Sequence, residues 1–134
     1  MQWTFLDFVD ENGTNRIKEW VESLPPSATK RVKAKLNAHI LHLQAQTELA
    51  GGPYMTSLHG ECANLLEIKL RVGRVQYRPL ACYGPGQREV TLLFGAEERG
   101  GKLKPTSACS RALKRRELVL ADTQRRRVCD HDFS

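Results

Sequence analysis

Three stretches between Leu65 and Gly95 alternate apolar and polar residues with a period of two, and turn residues separate them. No other feature constrains the fold as much, because this period places every second side chain on one face of a pleated strand. In Leu65–Val72, the residues Leu66, Ile68, Leu70 and Val72 share one face, and Leu65, Glu67, Lys69 and Arg71 the other. Gly73 makes a tight connection to Arg74–Tyr83, where Val75, Tyr77 and Ala81 oppose Gln76, Arg78 and Cys82. Pro79 has no N–H to give a ladder, which predicts an irregular or edge position there. Tyr83-Gly84-Pro85-Gly86 reads as a turn, and Glu89–Gly95 as a third strand with Val90, Leu92 and Phe94 on one face.

Helical spacing flanks this block. Gln2–Val9, with Trp3, Phe5 and Phe8, reads as a first strand, and Asp10-Glu11-Asn12-Gly13 as a loop. Thr14 or Asn15 can cap a helix over Arg16–Leu24, whose Ile17, Trp20, Val21 and Leu24 fall on one face. Pro25-Pro26 ends it. Ser27 then caps a longer helix, expected to reach about Leu49, with Val32, Leu36, Ile40 and Leu43 as its apolar stripe. Gly51-Gly52-Pro53 and a polar connector follow. Beyond the three strands, residues 99–105 read as a basic, flexible loop. Thr106 or Ser107 opens a last helix to about Asp122. The order β-α-α-β-β-β-α predicts an α+β fold: a small, mostly antiparallel sheet with two N-terminal helices and one C-terminal helix. A single domain is expected over residues 1–122, with residues 123–134 as a basic, loose tail.

At 134 residues and 40% hydrophobic content, the chain is long enough for one hydrophobic core. No apolar run approaches the roughly 20 residues that cross a bilayer. The first residues lack the pattern of a secretory signal, so a cytoplasmic location is expected. The net charge of +6 is unevenly placed. Residues 1–68 hold 6 basic and 8 acidic residues, whereas residues 69–134 hold 15 and 7. Such asymmetry points to a polyanionic partner.

Cys62, Cys82, Cys109 and Cys129 contain no CxxC pair, so neither a metal nor another cofactor is expected. Reduced thiols are expected, with Cys82 and Cys109 as small core residues. His39 and His42, three apart on a helix, lack an evident third ligand. If each helix covers one sheet face, the opposite face holds Glu67, Lys69, Arg71, Arg74, Gln76 and Arg78, a cationic surface suited to a phosphate backbone. Lys30, Arg31, Lys33 and Lys35 crowd the start of the second helix, where positive charge opposes the helix dipole. Phosphate contact is one reading of that cluster, and a solvated face the other.

The residues Leu65-Leu66-Glu67-Ile68-Lys69, then Tyr77-Arg78, then Leu92-Leu93-Phe94-Gly95, resemble the strand motifs of RelE/HigB-type toxins of type II toxin–antitoxin systems. The phage-derived HigB-like branch is the most similar. Lys104-Pro105, Cys109, Ala112 and Arg116 match the spacing of that branch's last helix. Lys69 stands where arginine is usual, and Glu97-Glu98 replace a Lys-Lys pair. The resemblance covers about residues 1–122 and implies a RelE/ParE-like fold. It also implies ribosome-dependent cleavage of mRNA and a cognate antitoxin, expected to be a helix-turn-helix protein covering the cationic sheet face or its rim. Related ParE-type members inhibit DNA gyrase instead, so a non-nucleolytic toxin-fold protein or an inactive phage remnant is the alternative.

RNA is cut without a metal when its own 2′-hydroxyl attacks the adjacent phosphate. That route needs a proton acceptor, charge stabilisation on the phosphorane and a proton for the leaving oxygen. Arg78 is the expected phosphate-binding residue, since an arginine fork holds two phosphate oxygens and stays charged. Lys69 and Glu67 complete the expected catalytic set, with an ion-pair anchor as the other reading of Glu67. Contacts to RNA or the ribosome are expected from Arg71, Arg74, Arg99, Lys102, Lys104, Lys30, Arg31, Lys33 and Lys35. His131 falls in the expected tail and is a weaker base candidate.

Overall fold

A computed structural model describes residues 2–131. Its elements are β1 (Thr4–Phe8), α1 (Arg16–Glu22), α2 (Pro26–Gln44), β2 (Met55–Ser57), β3 (Leu66–Ile68), β4 (Leu70–Val72), β5 (Val75–Tyr83), β6 (Glu89–Arg99), β7 (Lys102–Lys104), α3 (Ala108–Ala121) and β8 (Arg126–Val128). The sheet runs β2-β3-β5-β6-β1-β8, with β4 also on β5 and β7 also on β6. Among the described residues, only β1 and β6 pair in parallel; every other strand pair is antiparallel. The α+β class with two N-terminal helices, one C-terminal helix and a mostly antiparallel sheet is therefore present.

Local chemistry explains most boundaries. Asn15 caps α1, its Oδ1 accepting the N–H groups of Ile17 and Lys18 at 3.0 Å each. Pro26 occupies the first turn of α2, where its missing N–H costs nothing. Ala28, Val32, Leu36, Ile40 and Leu43 form the buried stripe of α2. That helix stops at Gln44, short of the expected Leu49, which is buried by the returning chain instead.

The Leu65–Val72 stretch is two strands rather than one. β3 pairs with β5 at Leu66–Ala81 and Glu67–Leu80, and β4 resumes the same register at Leu70–Tyr77. The ladder is broken opposite Pro79, which has no N–H to give. Lys69, in the break, sends its own N–H to the Tyr54 carbonyl at 2.9 Å. Pro79 thus lies within a central strand rather than at an edge, and the expected irregularity is this one gap in the ladder.

Two further expectations are overturned. The basic loop after Glu98 is a hairpin, with Arg99 opposite Lys102 and Glu97 opposite Lys104. Gly100 and Gly101 supply the positive φ that its turn requires. Residues 126–128, expected in a loose tail, pair with β1 as β8. The domain therefore extends past residue 122, and residues 132–134 of that expected tail lie outside the described residues.

The two sheet faces carry separate cores. On one, Phe5, Ile68, Leu70, Tyr77 and Leu92 pack against Ile17, Val21, Val32 and Leu36 of α1 and α2. On the other, Leu65, Leu80, Cys82, Leu93 and Phe94 pack against Ala108, Cys109, Ala112 and Val119 of α3. Each fully buried large side chain contributes roughly 1.5–3 kcal/mol relative to exposure. Cys62 and Cys109, expected as free thiols, form a disulfide that ties the turn at Gly60–Cys62 to α3. Cys82 is a buried free thiol, as expected, and burial pushes its pKa up to about 11.

Candidate nucleic-acid interface

The expected catalytic residues meet, but not as an accessible phosphate site. Arg78 is only 6% exposed. Its Nε lies 3.8 Å from Glu67 Oε2, and its Nη2 lies 3.4 Å from Glu98 Oε1 of β6. Nη2 also donates to Gln76 Oε1 at 2.8 Å, and Nη1 to the Tyr77 carbonyl at 3.1 Å. Two carboxylates thus balance this guanidinium, and α3 covers the neighbouring Leu65, Leu80 and Cys82. The cationic open face expected here is a small buried ion-pair cluster, because α3 covers much of that face. Lys69 sits half-buried beside it in the β3–β4 break.

The other expected contacts scatter. Lys35 Nζ, midway along α2, donates to the Arg71 carbonyl of β4 at 2.7 Å, so its charge is engaged in this contact. Lys33 lies 4.0 Å from Glu22. Lys30, Arg31 and Arg74 are exposed, and Lys102 lies at the hairpin tip. His39 and His42 pack edge-on against Tyr54. His131 is buried against Asp7 rather than loose.

A stronger constellation lies elsewhere, built by a gap in the sheet. β1 accompanies β6 only as far as Leu92, and β7 joins β6 only from Glu97. Between these points β6 has no strand partner on that side. A bulge falls in this window: Leu80 opposes Phe94 but Ala81 opposes Leu92, leaving Leu93 as the extra residue. α1 flanks the window on one side and α3 on the other. The result is a groove of adjoining concavities. The central one, of about 370 Å³, is lined by Arg16, Glu19, Trp20, Phe94, Arg111 and Arg115. One neighbour adds Lys114 and Arg125, the other Arg99 and Lys104.

The charges in this groove are unevenly balanced. Arg16 is paired with Asp10 at 2.9 Å and Glu19 at 2.6 Å, Arg125 with Glu11 at 3.3 Å, and Arg99 with Glu97 at 2.6 Å. Arg111, Lys114, Arg115 and Lys104 have no carboxylate within 4 Å among the described residues. The Arg111 and Arg115 guanidiniums sit over the Phe94 ring, at 4.8 and 5.2 Å from its centroid. Arg115 also lies over Phe8 at 5.1 Å and donates to the Leu93 carbonyl at 2.9 Å. Burial, Arg111 and Arg16 together hold the Arg115 guanidinium below its ordinary pKa, although it remains charged. An anion in the groove relieves both the desolvation and the repulsion.

Of the expected contact residues, only Arg99 and Lys104 line this groove. Arg16, Trp20, Phe94, Arg111, Lys114, Arg115 and Arg125 were missed. One signal was present: Arg111 and Arg115 are four apart on a helix and share a face. Gly95 carried another, since a Cβ there falls 1.9 Å from Trp20 Cδ2, so only glycine lets this wall close on β6. Comparison with known proteins gives no matching family model, no curated relative and no matching solved structure.

Proposed function

We propose that the chain binds single-stranded RNA in the α1–α3 groove and acts as a ribosome-dependent mRNA endonuclease, the toxin of a type II toxin–antitoxin pair. The observation that carries this reading is the pair Arg111 and Arg115, stacked on Phe94 without acidic partners. Stacked guanidiniums hold phosphate oxygens bidentately, and the Trp20 wall takes a base at roughly 1–3 kcal/mol. The element order and strand motifs of RelE/HigB-type toxins support the same reading. In this proposal Arg111 and Arg115 stabilise the phosphorane formed by 2′-hydroxyl attack. Glu19, held by Arg16 in the same concavity, accepts the hydroxyl proton, solvent gives a proton to the leaving 5′-oxygen as its bond to phosphorus breaks, and Lys104 grips a flanking phosphate. Arg78 and Glu67 support the sheet from within. An antitoxin neutralises the toxin by placing acidic side chains over Arg111 and Arg115.

Two observations favour a second reading, a non-nucleolytic toxin of gyrase-inhibiting type or an inactive remnant. Among the described residues no imidazole lines the groove, and Arg78 is already paired with carboxylates. Inducing the chain in cells and mapping mRNA 5′ ends separates the two. Codon-phased cleavage that disappears in Arg111→Ala/Arg115→Ala, with fold retained, supports the nuclease. Growth arrest with intact mRNA and lost supercoiling supports the second reading. Folded protein with neither effect sinks both toxin readings and leaves the inactive remnant.

A further inference from the structure

We propose that Asp7, Cys129 and His131 form a metal site that takes Zn²⁺ and staples the C-terminal strand to β1. The register sets the three residues on one side of the sheet edge. Asp7 lies opposite Arg127, and the Cys129 N–H continues the ladder to the Phe5 carbonyl at 2.9 Å. In extended chain, residues two apart point the same way, so Cys129 and His131 both turn toward Asp7. The contacts are short: Cys129 Sγ to Asp7 Oδ1 is 3.1 Å, and His131 Nε2 lies 2.8 Å from Oδ2 and 3.0 Å from Oδ1. One donor atom from each residue lies within 4.8 Å of the other two. Asp7 is fully buried and His131 nearly so.

The donor set selects the metal. One sulfur, one imidazole nitrogen and one carboxylate oxygen suit Zn²⁺, whereas Mg²⁺ and Ca²⁺ take oxygen donors. Tetrahedral zinc with bonds of about 2.0–2.3 Å holds its ligand atoms about 3.3–3.7 Å apart. The contacts of Cys129 and His131 with Asp7 therefore lengthen by about half an ångström to admit the ion, and the sulfur and imidazole donors, within 4.8 Å of each other, adjust to the same tetrahedral spacing, leaving one coordination position for a solvent molecule. Binding converts the Cys129 thiol to thiolate and releases its proton to solvent. The ion then takes the place of the His131–Asp7 contact. Outer support is already present, since Asn15 Nδ2 donates to Asp7 Oδ2 at 3.0 Å and fixes the carboxylate. Through Asn15, which also caps α1, the ion would brace the helix that carries Arg16 into the groove.

The test uses the full chain with its disulfide intact, titrated with Zn²⁺ alone and, for spectroscopy, with Co²⁺ alone. The expected result is one equivalent bound at micromolar concentration, a thiolate-to-cobalt band in the near ultraviolet, and a higher Tm with Zn²⁺. Cys129→Ser, whose hydroxyl can still donate to Asp7, keeps the fold but loses the band and at least tenfold in Zn²⁺ affinity. His131→Ala also loses at least tenfold, while His39→Ala/His42→Ala binds as the parent does. Absence of stoichiometric binding, a band that survives Cys129→Ser, or binding that disappears with His39 and His42 would overturn the proposal. In the first case the three residues are only a hydrogen-bonded latch.

Discussion

Arg78 shows how a single residue can fit a motif and occupy a place the motif does not reveal. Tyr77-Arg78 reads from sequence as a strand dipeptide with an outward arginine, because alternation reports which face a side chain leaves by, not what lies over that face. α3 and the Glu67 and Glu98 carboxylates lie over this one. Removing one member of a buried pair leaves the other charge uncompensated. We therefore expect Arg78→Ala to lower unfolding free energy by about 2–3 kcal/mol in denaturant titrations, within the handful that such a domain has. Any loss of the proposed RNA cleavage in that variant should track the folded fraction; loss in fully folded protein would return Arg78 to the candidate site. Gly95 is constrained as tightly from the opposite sheet face. Adding one methyl there drives it into the Trp20 indole, so Gly95→Ala should cost about 1–3 kcal/mol and shift the Trp20 emission. Unchanged emission and stability would mean that Trp20 can move aside freely.

At the scale of elements, legibility followed the range of the interaction. α1, α2, α3 and the β5–β6 pair were readable because caps, proline and period announce them within a few residues. β2, β7 and β8 were not, since each is three residues long; β7 is closed by a turn of two glycines inside a charged stretch, and β2 and β8 exist only because a strand elsewhere along the chain offers a ladder. Residues 126–128 looked like a charged tail for this reason, although Arg126 Nη1 reaches Glu89 Oε1 at 2.6 Å. The hydrogen bond from Arg126 holds the Glu89 carboxyl below its ordinary value of 4.5. A carboxyl depressed in the folded state stabilises above its unfolded pKa, and that contribution disappears as pH falls through the lower folded value. Acidification below about pH 4.5 should thus weaken the parent more steeply than Arg126→Ala, measured as Tm against pH; parallel curves would deny the ion pair any role. The disulfide was equally illegible, because 47 residues separate Cys62 from Cys109 and only the packed sheet brings them together. Closing a loop of that length is worth up to about 4 kcal/mol in the chain-entropy picture. Cys62→Ser/Cys109→Ser should lower the Tm, and the parent should match it after reduction.

The whole molecule decides where its positive charge acts. Most cations lie after residue 68, and the fold sets two groups among them apart. Arg78, Arg99, Arg125 and Arg126 are tied to carboxylates, and their charge is largely balanced within the protein. Arg111, Lys114, Arg115 and Lys104 gather along one groove without such partners among the described residues, so in the proposed reading a polyanion would meet them rather than the average charge of +6. Neutralising one phosphate of a single strand releases about 0.7 counterion, which appears as the slope of log affinity against log salt. If Arg111 and Arg115 each hold a phosphate, replacing both with alanine should flatten that slope by about 1.4 for a short single-stranded RNA. Replacing Lys30 and Arg31 on α2, far apart from the groove in sequence and equally charged, should change the slope little. The comparison is sharper than affinity alone, because loss of stacking on Trp20 weakens binding at every salt concentration without altering the slope. Trp20→Ala should therefore lower affinity with the slope preserved, and Arg111→Ala/Arg115→Ala should lower both. Equal slopes for the parent and the double arginine variant would remove the groove from RNA contact and return the question to the exposed cations of α2 and the β6–β7 hairpin.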